Sequence, residues 1–349
     1  MSASIAFLVP TPPPVVPEAE AYTQEIDALC RRFGGQRFYI NPNRYLPRHL
    51  PMQVPRPLFG FLELPRLRLV GRRHGLYQIY SPTLYGYPVL SLLARPVVYA
   101  LTGTASTLRS DELTFFGRLA AVTVPDRDSL ERLQREGLKN VRRVRAGIDT
   151  SRFSIHPRSL DGELHLLMAS APWTAEQFRT KGIDALLAAV EADRRLRLTL
   201  LWRGVLTTEV KTRIRERNLE ERVEVIDRLV DVDRQLAAVH ATVALATNGN
   251  LVKAYPHSLM ESLVAGKPVL VSRQIPMADY VEARGLGVVV DEVGAASVLE
   301  AAEKLRRSYR EYAQRACEHG GRDFALERMI ASFEAVYVEV AELEAGRQD

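Results

Sequence analysis

The chain has little cysteine: two residues in 349, Cys30 and Cys317, lie far apart in no disulfide or metal-ligand spacing, which fits a reducing compartment. It has no apolar run approaching the roughly 20 residues of a membrane-spanning helix. The opening stretch from Met1 to Pro10 lacks the charged start and long apolar segment of a secretion signal, so it reads as a strand and the expected location is cytoplasmic. No nucleic-acid motif accompanies the basic residues, and nucleic acid is not an expected partner.

What is present is an ordinary globular composition, 46% apolar and 26% charged, in a chain longer than one hydrophobic core usually supports. Two domains are therefore expected. Charge is uneven: residues 1–150 hold 20 Lys and Arg against 12 Asp and Glu, and the remainder 27 against 30. A basic first half attracts anionic lipid headgroups or an acidic acceptor. Within it, five prolines between Asn41 and Pro57 forbid regular helix and predict an extended loop. Beyond that loop Pro65 is expected to split the segment Leu58 to His74. Arg44, Arg48, His49, Arg56, Arg66, Arg68, Arg72 and Arg73, interleaved with Tyr45, Phe59 and Phe61, read either as a patch for lipid or polyanionic glycan or as a solvated face.

Strand and helix signals alternate. Apolar runs at Ile5 to Val9, Leu76 to Tyr80, Pro96 to Leu101 and Ala121 to Val124 predict one parallel sheet. Runs at Leu164 to Ala169, Arg197 to Trp202, Val223 to Ile226, Ala241 to Ala246, Val269 to Val271 and Gly287 to Val290 predict a second. Helical spacing marks Glu20 to Phe33, Asp128 to Gly137, Thr208 to Asn218 and Ala295 to Tyr309. A final helix from Asp323 to about Glu344 carries Met329, Phe333, Val336 and Val340 on one face. The result is an α/β protein of two Rossmann-like, doubly wound domains, with ligands at the carboxyl ends of strands.

The most informative stretch is Tyr255-Pro-His-Ser-Leu-Met-Glu-Ser-Leu-Val-Ala-Gly-Lys-Pro-Val-Leu-Val-Ser272. Ser258 reads as an N-cap, Glu261 as a first-turn acid, and Gly266 with Pro268 as a stop, so the helix is expected from near His257 to near Gly266. Its N-terminus offers amides and partial positive charge to a phosphate. Two further motifs stand in series with it, Gly147-Ile-Asp-Thr-Ser-Arg-Phe153 and Lys181-Gly182.

Together these resemble the retaining glycosyltransferases of family 4, which have the two-domain GT-B fold. The resemblance implies an N-terminal acceptor domain of residues 1–155, with the helix of about 325–349 packing back on it. It also implies a nucleotide-sugar donor domain of residues 156–324 and an interdomain cleft. Glu261 then binds the ribose, while Ser258 with its neighbours His257 and Leu259 takes the phosphates. Lys181 neutralises the diphosphate with Arg179 or Arg203, the segment at Leu229 brackets the base, and Gly147 passes close to ligand at the domain link. Three positions depart from the family pattern. The loop Thr11 to Pro17 has prolines for glycines, Thr102 stands for the histidine beside the reacting sugar, and Lys253 stands for a glutamate that contacts it.

The expected activity is transfer of a sugar, with retention, from a nucleotide-sugar donor to a glycan, lipid-linked or small-molecule acceptor. Neither cofactor nor metal is expected: Asp231-Val-Asp233 has Asp-x-Asp spacing but opens a helix and reads as a cap. A nucleotide-sugar epimerase of the same fold and a non-catalytic nucleotide-sugar-binding protein are the alternatives. The cation Lys253 is suited to a donor sugar bearing its own carboxylate. A basic first domain also suits peripheral attachment at the inner membrane face.

Overall fold

The central strands are short, largely apolar runs, and six of the twelve among the described residues are buried along their whole length because helices cover both faces of a parallel sheet. The structure, a computed structural model, describes residues 4–13, 21–45, 53–202 and 206–346. Arg203, Arg48, His49 and residues 14–17 of the loop Thr11 to Pro17 lie outside the described residues.

The chain forms two compact units. Unit 1 takes the chain through Gly147 and again from Leu326, and unit 2 is Ile148–Ala325. The junction thus falls ahead of residue 155. Unit 1 holds β1 (Ile5–Val9), β2 (Gly35–Tyr39), β3 (Leu76–Ser81), β4 (Val97–Leu101), β5 (Ala121–Val124) and β6 (Val141–Arg143). Unit 2 holds β7 (Leu164–Met168), β8 (Leu196–Leu201), β9 (Val223–Ile226), β10 (Ala241–Ala244), β11 (Val269–Ser272) and β12 (Gly287–Val290). The two sheets are parallel throughout, in the orders β2-β1-β3-β4-β5-β6 and β12-β11-β10-β7-β8-β9.

The final helix, Leu326–Ala345, returns to unit 1. Its apolar face of Met329, Phe333, Val336 and Val340 joins Ile26, Leu29 and Val98 in one core. The Phe333 ring lies 6.2 Å from that of Tyr80, and the Tyr337 hydroxyl donates to the Gln78 amide oxygen.

Three elements differ from expectation. Gly35 to Tyr39 forms β2, a polar edge strand whose partial exposure leaves no hydrophobic signature; it is held by its pairing with β1. Pro65 opens the helix Leu64–Gly71 and does not split the segment, since a first-turn proline forfeits no helical hydrogen bond. Beyond the helix Ala295–Arg307 there is a further one, Tyr309–Asp323, which Gly320-Gly321 disguised. Gly320 is where that helix crosses the helix His257–Val264: a Cβ there would lie 2.0 Å from the Leu263 carbonyl oxygen, so only glycine permits the approach.

His240, just before β10, pins the amino edge of the second sheet. Its Nδ1 accepts the His165 amide at 3.0 Å and its Nε2 lies 3.1 Å from the Ser159 carbonyl. Burial pulls its pKa down from 6.5 to about 4. The unfolded chain therefore binds this proton first as pH falls, so the histidine's contribution to stability is intact above pH 6.5 and is lost between 6.5 and 4. In urea unfolding followed across that window, His240→Gln should remove up to about 3 kcal/mol of the wild type's pH dependence.

Candidate functional site

In the second sheet the connections part between β7 and β10: the chain runs outward through β8 and β9 on one side and through β11 and β12 on the other. A crevice opens at the carboxyl ends of strands where order reverses in this way. After β7 the chain forms the helix Glu176–Thr180, then Lys181 and Gly182, then the helix Ile183–Ala192. The Thr247 amide, after β10, donates to the Thr180 carbonyl at 2.9 Å. The Ser272 hydroxyl at the end of β11 accepts the Ala246 amide at 2.8 Å and donates to the Ala246 carbonyl at 3.0 Å. The first bond fixes the loops after β7 and β10 to one another and the Ser272 pair fixes the latter to β11; sequence reading gave no sign of them.

Lys181 is almost wholly buried, and its ammonium donates to the Ala171 carbonyl at 3.1 Å. Gly182 follows with φ 72° and ψ 15°. A Cβ there would meet the Leu245 side chain at 2.7 Å, so Lys181-Gly182 is held by both its backbone conformation and its fit against the residue that follows β10. Arg179 is exposed, 3.6 Å from Glu176.

The helix His257–Val264 begins after Pro256, which is its N-cap. Ser258 is thus the second helical residue and not the cap, because the fixed φ of Pro256 already sets the entry. The amides of Leu259 and Met260 donate to the Pro256 carbonyl at 3.1 and 3.2 Å. The Leu259 side chain is in the core, whereas His257 and Ser258 are half-buried. Glu261 falls in the second turn and not the first, beyond the span over which the helix dipole favours a carboxylate. It is half-buried, as is Lys253 in the loop that leads to the helix.

The carboxyl side of β7 and β10 therefore gathers Lys181, Lys253, Ser258 and Glu261 in the segments flanking the crevice. Leu229 follows β9 at the edge of the sheet and is 70% exposed. Thr102 and Gly147 belong to unit 1. Thr102 follows β4, its amide donating to the Ser81 carbonyl at 2.9 Å, and Gly147 is buried at the junction. Asp231 caps the helix Val232–Ala238 by accepting the Asp233 amide at 3.0 Å.

Unit 1 has its own switch point between β1 and β3. A cavity of about 490 Å³ lies at the carboxyl ends there, with Thr11, Asn41, Asn43, Arg56, Thr83 and Tyr87 among its walls.

Residues 174–320 match the family of glycosyl transferases group 1. No curated protein sequence matches the chain. Among solved structures it resembles Anabaena HepE in complex with UDP and glucose, at 14% identity and a TM-score of 0.69, covering 96% of this chain and 99% of that one. It also resembles sucrose-phosphate synthase from Thermosynechococcus elongatus, at 14% identity and TM-score 0.67, covering 97% and 100%. A third likeness is the lipopolysaccharide outer core galactosyltransferase WaaB, at 11% identity and TM-score 0.67, covering 96% and 99%. The architecture is the two-domain α/β fold of GT-B glycosyltransferases. Unit 2 carries the group 1 domain, and that domain marks the chain as a glycosyltransferase.

Gly182→Ala should lower stability by about 1–3 kcal/mol through a left-handed backbone and a clash with Leu245. Thermal unfolding of the variant beside wild type measures it.

Proposed function

We propose that the protein transfers a sugar from a nucleoside-diphosphate sugar to a hydroxyl-bearing acceptor, with retention and without a metal ion. The observation that carries this reading is the tie between Thr180 and Thr247. It sets Lys181 and the segment leading to Ser258 and Glu261 on either side of one switch point. Charge that develops on a departing diphosphate is then met by the Lys181 ammonium and the first turn of the helix His257–Val264. Glu261, outside the helix dipole's span, accepts the ribose hydroxyls. HepE, similar in fold, is complexed with UDP and glucose. Metal-free transfer is supported by the acids of the Asp-x-Asp spacing: Asp231 is a helix cap, and Asp233 accepts from His156 Nε2 at 2.8 Å and the Ser154 amide at 3.0 Å.

The unit 1 cavity suits the acceptor. Its amide, hydroxyl and guanidinium groups beside Tyr87 match a polyhydroxylated molecule. A lipid-linked acceptor is favoured by the exposed leucines 58, 62 and 69, 51%, 75% and 59% accessible, set among the exposed Arg66, Arg68, Arg72 and Arg73. Such a surface holds a cytoplasmic enzyme to the inner membrane face. Phe59 and Arg44 are not part of it: Phe59 is buried against Tyr87, and Arg44 pairs with Glu63 at 2.6 Å.

Incubation with a panel of nucleotide sugars should release nucleoside diphosphate. Glu261→Ala should weaken nucleotide binding about tenfold, the loss of a charge-assisted hydrogen bond. Nucleotide binding without release from any donor would instead favour the non-catalytic reading. Lys253→Glu should shift donor preference from acidic towards neutral sugars, and an unchanged preference would remove Lys253 from sugar recognition.

A further inference from the structure

Lys267, between the helix His257–Val264 and β11, is fully buried, and its ammonium has no hydrogen-bond partner. An ammonium in that position costs several kcal/mol unless something compensates its charge. Burial pulls its pKa down from 10.5 to about 8, with Arg158 adding repulsion.

The surroundings increase the excess. On the amino side of the second sheet, Arg158, Gly266, Arg306, Arg307, Arg310 and Cys317 contribute to the wall of a cavity of about 630 Å³. Arg158 donates to the Ala238 carbonyl at 2.8 Å and contacts the neutral His240 ring at 3.0 Å, so neither partner offsets its charge. Arg306 is 10% exposed in its side chain; one nitrogen meets Asp193 at 2.9 Å, while Nε and Nη2 are buried without partners. The carboxylates in this group, Asp193 and Glu303, are shared with Arg195 and Arg307. Four arginines thus line a cavity, with the buried Lys267 next in chain to its Gly266 wall and within electrostatic reach of Arg158, and two divided carboxylates answer them; low-dielectric walls strengthen the field inside.

We propose that this cavity is a second anion site, taking a phosphate- or diphosphate-bearing molecule on the face of unit 2 opposite the donor crevice. Occupancy compensates Lys267 and Arg306 electrostatically, while Arg307 and Arg310, at the exposed wall, contact the oxyanion. Because Gly266 and Lys267 join the helix His257–Val264 to β11, the bound anion stabilises the segment that carries Ser258 and Glu261.

The test titrates the full chain with pyrophosphate at constant ionic strength, without UDP, whose diphosphate would also enter this cavity. Calorimetry should show one further site. Arg310→Ala with Arg307→Ala, both exposed, should weaken it at least tenfold, and Lys181→Met should leave it unchanged. Lys267→Met should abolish the rise in melting temperature that pyrophosphate causes. Vesicles with and without phosphatidic acid separate the sources of the oxyanion. Arginine-dependent binding of free pyrophosphate assigns a soluble phosphate compound, and arginine-dependent binding confined to phosphatidic acid vesicles assigns a headgroup. Binding of neither, binding indifferent to the two arginines, or binding removed by Lys181→Met would overturn the proposal. The arginine variants keep their meaning whether or not the donor crevice binds a nucleotide, so failure of the donor reading is distinguishable from failure of this one.

Discussion

A parallel sheet covered by helices on both faces leaves only its ends open to ligand, and the second sheet here opens where β7 and β10 lie side by side. The amide of Thr247 on the carbonyl of Thr180 closes the loops of these two strands over one another. Lys181, Gly182, Lys253 and the helix His257–Val264 take their places from that link. Gly182 fits against Leu245, Ser272 holds Ala246, and Gly320 lets a later helix pack against the helix His257–Val264. Without the link these residues would still follow the same strands but lose their common reference.

The two edges of this sheet handle charge differently. At the carboxyl edge, Lys181 has a carbonyl partner and the helix start supplies polar groups, an arrangement that tolerates an incoming diphosphate. At the amino edge, Lys267 and part of Arg306 are buried without partners beside further arginines, an arrangement that needs an anion. The departures from the family pattern fall on positions that the resemblance assigns to the sugar. Thr102 and Lys253 replace groups expected beside the transferred sugar, while Glu261, Ser258 and Lys181-Gly182 keep their positions in the pattern.

Much of the fold was legible from local signals. The buried runs became strands because a strand covered on both faces must be apolar along its length, and the spacing of Met329, Phe333, Val336 and Val340 described a helix face that meets a core. β2 escaped notice because a polar edge strand derives its stability from pairing with β1. The helix Tyr309–Asp323 escaped because its glycine reads as a breaker unless the crossing with Leu263 is known. In the site, the helix from His257 was legible to within two residues. Its cap and the turn occupied by Glu261 were not, because Pro256 and Ser258 are both plausible starts in sequence.

The sequence by itself determined most of the elements, the expectation of two parallel sheets, and the motif that resembles a nucleotide-sugar site, since hydrophobic period, proline and glycine act over a few residues. Tertiary structure alone decided which loops meet. Thr180 and Thr247, Gly182 and Leu245, and Lys267 and Arg158 are separated by tens of residues or more, and only sheet order brings them together. It also decided that Lys267, an ordinary lysine in a helix-stop sequence, is a buried cation, because burial is a property of the packed molecule and not of the chain.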